Sequence, residues 1–443
     1  MSDQLEQWAI VPSAVWDGQS QLKDKAVIIQ GEYISAIVDV GSLKDISRID
    51  LVGTTLLPGL IDAHVHLSDW MLPSFLAAGV TTVRDTGNNL EWVLNVRERT
   101  KVDPLSGPTI QCCGPTLDGS LVNWPKISLA NSSRDEIIKN VQNLVAAGVD
   151  AIKLYVNLDK NLMASAVETA HSLSKYVLAH LGGVNALDAS SIAVDEIEHL
   201  TGCIHHEHGG ESPFSDSDYL DECIEQFLQN KTTMCPTLMV WDRLSRINES
   251  TFFYDKRLEW VHPHIRSAWA RFPHRNLDPE LKMKRQESLI TMKRALREIS
   301  RRGCRIVIGT DTPWPYVIPG FAVHDELALI VESGIDPKDA IRMATNDAAD
   351  VLGLTGEIGV IKPGAIANLM AVVGNPLEDI SRISSVKFVT HRGHNIQLQH
   401  LTAIRDSGFQ LPLKDAISEL IVGVADTKQL PKSPPVVFNN LSN

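Results

Sequence analysis

Between residues 58 and 311 the chain alternates short apolar runs with helix-like stretches, and most of the runs end in a polar residue out of place in a core. Eight runs read as strands, ending near His66, Val83, Cys113, Tyr155, His180, His199, Pro236 and Asp311. Helical patterns lie between most of them, clearest over 134–147, 160–174 and 286–301. Such alternation builds parallel sheets, either closed into a barrel or open and doubly wound.

The two ends of the chain have a different character. Three β-like runs occupy the first ~55 residues: Trp8-Ala9-Ile10-Val11, Lys25-Ala26-Val27-Ile28-Ile29 and Tyr33-Ile34-Ser35-Ala36-Ile37-Val38. Turn residues such as Asp17-Gly18 and Gly31 separate them. From about Gly359 the same character returns, in Ala367-Asn368-Leu369-Met370-Ala371-Val372-Val373 and Val386-Lys387-Phe388-Val389-Thr390. The expectation is an α/β protein with residues 58–358 as one unit and residues 1–57 and 359–443 as a small composite β-sandwich. The tail after Val422, with Pro431, Pro434 and Pro435, reads as irregular.

Composition excludes more than it selects. A formal net charge of −13 argues against nucleic acid or an anionic membrane surface as partner, because both require a basic field. The start lacks the basic and apolar regions of a signal peptide, and no run approaches a membrane span. Six cysteines without a CxxC spacing read as free thiols of a reducing compartment, so a cytoplasmic location is expected. A homo-oligomer remains open.

The residues that carry chemistry stand at the ends of the strand candidates. Leu57-Pro58-Gly59-Leu60-Ile61-Asp62-Ala63-His64-Val65-His66 closes an apolar run with two histidines one residue apart. Residues i and i+2 of a strand project from one face, so both imidazoles can reach one metal ion. Lys153 interrupts the apolar run Val149-Asp150-Ala151-Ile152-Lys153-Leu154-Tyr155, where a lysine is costly without a partner. His180, His199 and Asp311 end three further runs. In a (β/α)8 barrel those ends converge on one mouth. Any one of these residues alone reads as a satisfied core side chain; all of them at strand ends together point to a site.

The order HxH, Lys, His, His, Asp resembles the amidohydrolase superfamily. The resemblance extends through Ala78-Gly79-Val80-Thr81-Thr82-Val83-Arg84-Asp85, Gly309-Thr310-Asp311-Thr312, His324-Asp325-Glu326-Leu327, Ala344-Thr345-Asn346-Asp347-Ala348-Ala349 and Lys362-Pro363-Gly364-Ala365-Ile366-Ala367-Asn368-Leu369. The run is most similar to imidazolonepropionase-like enzymes and the Xaa-Pro and Xaa-Arg dipeptidases. That resemblance implies a distorted (β/α)8 TIM barrel and two divalent metal ions, zinc being the expected pair. His64, His66 and Asp311 would hold one ion, and His180 and His199 the other. Lys153, carboxylated by carbon dioxide to a carbamate, would bridge them together with a hydroxide. One departure stands at the fifth strand, where relatives usually carry His-Ala-His-Gly and this chain has Ala179-His180-Leu181-Gly182-Gly183.

The expected chemistry is direct attack of the bridging hydroxide on an amide carbonyl, with Asp311 shuttling the proton. The favoured substrate is a small carboxylate-bearing molecule, a dipeptide or N-acyl amino acid. Ring opening of a cyclic amide is the first alternative, and a non-catalytic assembly protein on the same fold is the second. Residues 241–285 carry many aromatics and ten Lys/Arg against six Asp/Glu. They are expected to form a lid whose cations attract the substrate carboxylate. His205, His206 and His208 are read as surface histidines, Asp85 as a structural aspartate and Cys112-Cys113 as core.

Overall fold

The computed structural model describes residues 7–200, 202–203, 217–272 and 279–426. Strands Leu60–Val65, Val80–Asp85 and Thr109–Cys112 form one parallel group. A second group contains Thr116–Asp118, Ala151–Leu154, Tyr176–Ala179, Glu196–Glu198 and Thr233–Cys235, all parallel, with Ser128–Ala130 on its edge. Residues 109–118 join the two groups: Cys113 N donates to Asp85 O at 2.9 Å, and Tyr155 N to Leu117 O at 2.9 Å.

Residues 305–312 link the far edges. Val307 N donates to Met234 O at 2.9 Å, Ala63 N to Ile308 O at 2.8 Å and Asp311 N to His64 O at 2.8 Å. Only isolated bridges, Met234 with Ile306 and Val65 with Thr312, mark this run as strand-like. Its irregularity has a local cause: Asp311 takes a left-handed conformation with φ 55°, and Thr310 turns its hydroxyl to Asp62 Oδ2 at 2.7 Å. Gly309 permits the close approach, since a Cβ there would stand 2.5 Å from both Cys235 Sγ and His64 Cβ.

The helices follow their local signals. Arg134–Ala147 starts at Ser133, whose side chain accepts from Glu136 N, and stops at Gly148 with φ 94°. Its Ile137, Val141 and Leu144 fall on one buried face. Lys160–Ser172 begins at Asp159, which accepts from the N–H groups of Asn161 and Leu162. A buried ion pair between Arg84 and Glu196 crosses the interior, and Arg84 Nε also donates to Ala63 O at 2.8 Å.

Both ends of the chain contribute to one sheet of eight strands. Ser47–Pro58 pairs parallel with Gln7–Trp16 on one side and antiparallel with Leu369–Val373 on the other. In its hydrogen bonding this is one continuous sheet, where a two-layered sandwich was expected. Register shifts at Pro12/Ala14, Ile28/Ile29 and Ala371/Val372 bend the strands, so the sheet closes over its own core of Ile10, Val27, Ile29, Leu56, Leu369 and Phe388. The chain leaves the sheet after His394–Asn395 and forms helices Leu398–Gly408 and Ala416–Asp426. The first packs on helix Leu72–Ala77 and the second on helix Pro263–Arg271, away from the sheet to which the sequence assigns them. No described helix is long and apolar enough to cross a membrane.

Candidate metal centre

His64, His66, Lys153, His180, His199 and Asp311 all line one cavity of about 90 Å³. They come from the C-terminal ends of the parallel strands, where backbone hydrogen bonding stops and side chains can face a common space. His199 and Asp311 both hold positive φ, 59° and 55°, in the conformation that L-residues adopt at a cost of about 1 kcal/mol or more. Such backbone is stable only where the surroundings enforce it.

The imidazoles are oriented from behind. His66 Nδ1 lies 3.0 Å from the carbonyl of Gly87, which can only accept, so this nitrogen carries the proton and Nε2 keeps its lone pair. A side chain at position 87 would crowd Thr116 and the His66 ring. His64 Nδ1 is 2.7 Å from Glu198 Oε2, and His199 Nδ1 is 2.6 Å from Thr237 Oγ1. The Nε2 atoms of His64 and His66 approach Asp311 Oδ1 at 3.4 and 3.3 Å. His180 packs its ring against His199 and Tyr155, with centroids 4.5 and 5.0 Å away. Its buried Nε2 has no hydrogen-bond partner among the described residues.

Burial and neighbouring charge set the protonation states. Burial, reinforced by the Lys153 ammonium and by the neighbouring His199, holds His180 well below the usual histidine range. Burial likewise pushes His199 down to about 3, against the opposing pull of Asp311. Burial disfavours the Asp311 carboxylate, but the surrounding His64, His66 and His199 outweigh it and hold the group well below its ordinary value. His64 runs the other way: burial lowers it, but the Glu198 and Asp311 carboxylates outweigh burial and hold it above the usual histidine value. A divalent cation, which binds neutral imidazoles and ionised carboxylates, would displace a proton there. His64, His66 and Asp311 bring their ligand atoms within 4.8 Å of one another. The donor set and the unpartnered His180 nitrogen fit a metal centre.

Sequence reasoning missed Glu198. Its Oε1 accepts from Lys153 Nζ at 2.8 Å while Oε2 meets His64, and both carboxylate and lysine are buried. The signal was present in Glu196-Ile197-Glu198-His199, where two carboxylates on a three-residue strand are as anomalous as the histidine beside them. Asp85 is structural as expected, accepting from Leu67 N, Gly87 N and Asn88 Nδ2. The six cysteines are free and buried. His205, His206 and His208 lie outside the described residues.

A family model described as the amidohydrolase family matches residues 55–396. The chain belongs to the amidohydrolase family. This amidohydrolase is 24% identical over 381 residues to an enamidase of Eubacterium barkeri, covering 81% of this chain and 84% of that protein. It shares its fold with a Xaa-Pro dipeptidase crystallised with methionine in the active site, at TM-score 0.69 and 22% identity, over 88% of this chain and 100% of that one. It is also similar to the ochratoxinase of Aspergillus niger, at TM-score 0.68 and 18% identity, over 89% of this chain and 96% of that one.

The lid expected over residues 241–285 is not built as anticipated. Of its aromatics within the described residues, Phe272 alone lines the cavity, while Trp241, Phe252, Trp260 and Trp269 are buried in the core. Arg243 and Arg257 are held by Asp325, with Asp242 and Asp255 beside them, so these cations are neutralised locally. Residues 273–278 lie outside the described residues.

Proposed function

We propose that this amidohydrolase is a binuclear metal-dependent hydrolase cleaving a small amide, of the dipeptide or N-acyl amino acid class. The observation that carries the reading is the convergence of four histidines and Asp311, with Lys153 among them, on one cavity, the buried His180 Nε2 having no hydrogen-bond partner among the described residues. In the proposed arrangement His64, His66 and Asp311 would hold one divalent ion and His180 and His199 the second, with Lys153, carboxylated to a carbamate, as the shared ligand. Zinc suits this mixed nitrogen and oxygen set. Such ions lower the pKa of bound water toward neutrality and polarise the substrate carbonyl.

The chain's own residues supply the rest. Asp311, ionised and flanked by two imidazoles, takes the proton of the attacking water and delivers it to the leaving nitrogen. Tyr155 accepts the indole N–H of Trp124 at 2.8 Å and retains its own O–H to donate to the amide oxygen. Burial raises this phenol, so it stays protonated through the neutral range. Within this reading residues 58–358 form a distorted (β/α)8 barrel, the ring of parallel strands being its support, and the sheet from both ends is the smaller unit.

A second reading is opening of a cyclic amide, the reaction of the imidazolonepropionase-like enzymes that the sequence resembles. Hydrolysis of dipeptide, N-acyl amino acid and lactam panels by zinc-loaded protein decides between them. Release of amine from an open-chain amide, abolished by chelation and restored by zinc, is the expected result. Turnover confined to lactams selects the second reading, and metal-independent turnover defeats both.

A further inference from the structure

The cavity has two unlike halves. At its floor stand the candidate ligands; its walls are Trp124, Phe272, Trp314 and, from helix Ala416–Asp426, Ile417, Leu420 and Ile421. Phe272 and Trp314 meet edge to face with centroids 6.2 Å apart. Residues 417, 420 and 421 fall at i, i+3 and i+4, one face of one helix. Among the described lining residues Lys153 is the only lysine or arginine, and it is bonded to Glu198.

The helix is fixed to the site on two sides. Ser68, two residues beyond His66, donates to Asp415 Oδ2 at 2.8 Å and lies 2.9 Å from Ser418 Oγ. Lys126, between the lining residues Trp124 and Ile127, pairs with Glu419. The apolar face is therefore a built wall of the cavity.

We propose that this upper half receives an uncharged, apolar group attached to the scissile amide, with helix Ala416–Asp426 as the specificity-determining wall. The inference rests on the amide-hydrolase reading and departs from it in substrate class, exchanging the carboxylate-bearing amide proposed above for a neutral, hydrophobic one. An apolar group entering this space gains in proportion to the area it removes from water. A carboxylate entering it loses its hydration and finds, among the described lining residues, no lysine or arginine but the Glu198-bound Lys153 to replace it.

The test uses N-acetylphenethylamine and N-acetylphenylalanine, which differ only in the carboxylate. Binding to zinc-loaded protein is read by equilibrium dialysis and hydrolysis by release of amine. The neutral amide should bind at least about ten-fold more tightly, the lower end of what burying a polar group without a partner costs. Leu420→Asp should abolish that preference, and Leu420→Ala should weaken it if the charged variant unravels the helix. Preferential binding of the neutral amide without amine release supports the compartment and defeats the hydrolase reading. Equal or tighter binding of the carboxylate, or no measurable binding of the neutral amide, overturns the compartment whatever the turnover.

Discussion

Lys153 donates from Nζ to Glu198 Oε1 at 2.8 Å, with both side chains buried. The other oxygen of the same carboxylate faces His64 Nδ1 at 2.7 Å. One carboxylate thus fixes two candidate ligands. A carboxylate at that distance favours the proton on His64 Nδ1, which leaves Nε2 for the cavity. Carboxylation of Lys153 would leave one N–H on the nitrogen, so Glu198 can accept from either form. Glu198→Gln keeps the shape but turns one acceptor into a donor facing a donor. Losing such a supporting group typically costs about 10–100-fold in metal affinity. Competition dialysis against a chelator should show that loss, and wild-type zinc affinity in the variant would remove Glu198 from this role.

Lys153 itself is the more severe case. An unmodified ammonium beside two cations is repelled by both, whereas a carbamate offers them two anionic oxygens. Lys153→Ala should therefore bind at least one ion fewer per chain and lose turnover, and short carboxylic acids should partly restore both. In the wild type, ¹³C-labelled carbon dioxide should give a carbamate resonance that appears with added zinc. One tightly bound ion per chain, unchanged in Lys153→Ala, would defeat the bridge.

Asp311→Asn separates proton transfer from binding. The amide keeps the size of the carboxylate but cannot take up a proton, and losing a general acid or base commonly costs about 10²–10⁴-fold in rate. The expected result is a fall in kcat of that order with a small change in KM. Metal content must be measured on the same preparation, because the carboxylate is also a candidate ligand. Near-normal kcat at full metal occupancy would exclude Asp311 from the proton path.

Much of this arrangement is legible in the sequence because strand periodicity and strand ends are local properties. Seven of the eight apolar runs end within two residues of a strand end, and of the residues closing the runs His66, Tyr155, His180, His199 and Asp311 line the cavity whereas Val83, Cys113 and Pro236 do not. Glu198 was hidden because the three-residue strand it ends was read only for its histidine. The wall helix was hidden for a different reason: Ser68 and Asp415 are 347 residues apart, and nothing local links them. The aromatics of 241–272 misled because composition cannot tell which face of a helix turns inward. Arg243 and Arg257 misled because their acidic partner, Asp325, lies far along the chain.

Glu326 ties the site to the stability of the fold. Thr237 precedes helix Leu238–Arg246 but gives that helix no side-chain cap, its hydroxyl being bonded to His199. The buried first-turn N–H groups of Leu238 and Met239 are instead accepted by the Glu326 oxygens, at 2.8 and 2.7 Å. Burial pushes this carboxyl up to about 8 despite those two bonds, with the nearby Asp62 and Asp242 acting in the same direction. In the unfolded chain the same group ionises near 4.5. Between these values the folded state holds a proton that the unfolded state has released, so this contribution is full below about 4.5 and is lost as pH rises through about 8. Each pH unit within that window costs up to about 1.4 kcal/mol. Urea unfolding at intervals from pH 5 to 9 should show wild-type stability declining faster than that of Glu326→Gln, which has no proton to lose. The variant should be less stable at low pH, and the gap should close as pH rises. Parallel curves would show that Glu326 is ionised in the folded protein throughout, its charge held by the two backbone N–H groups.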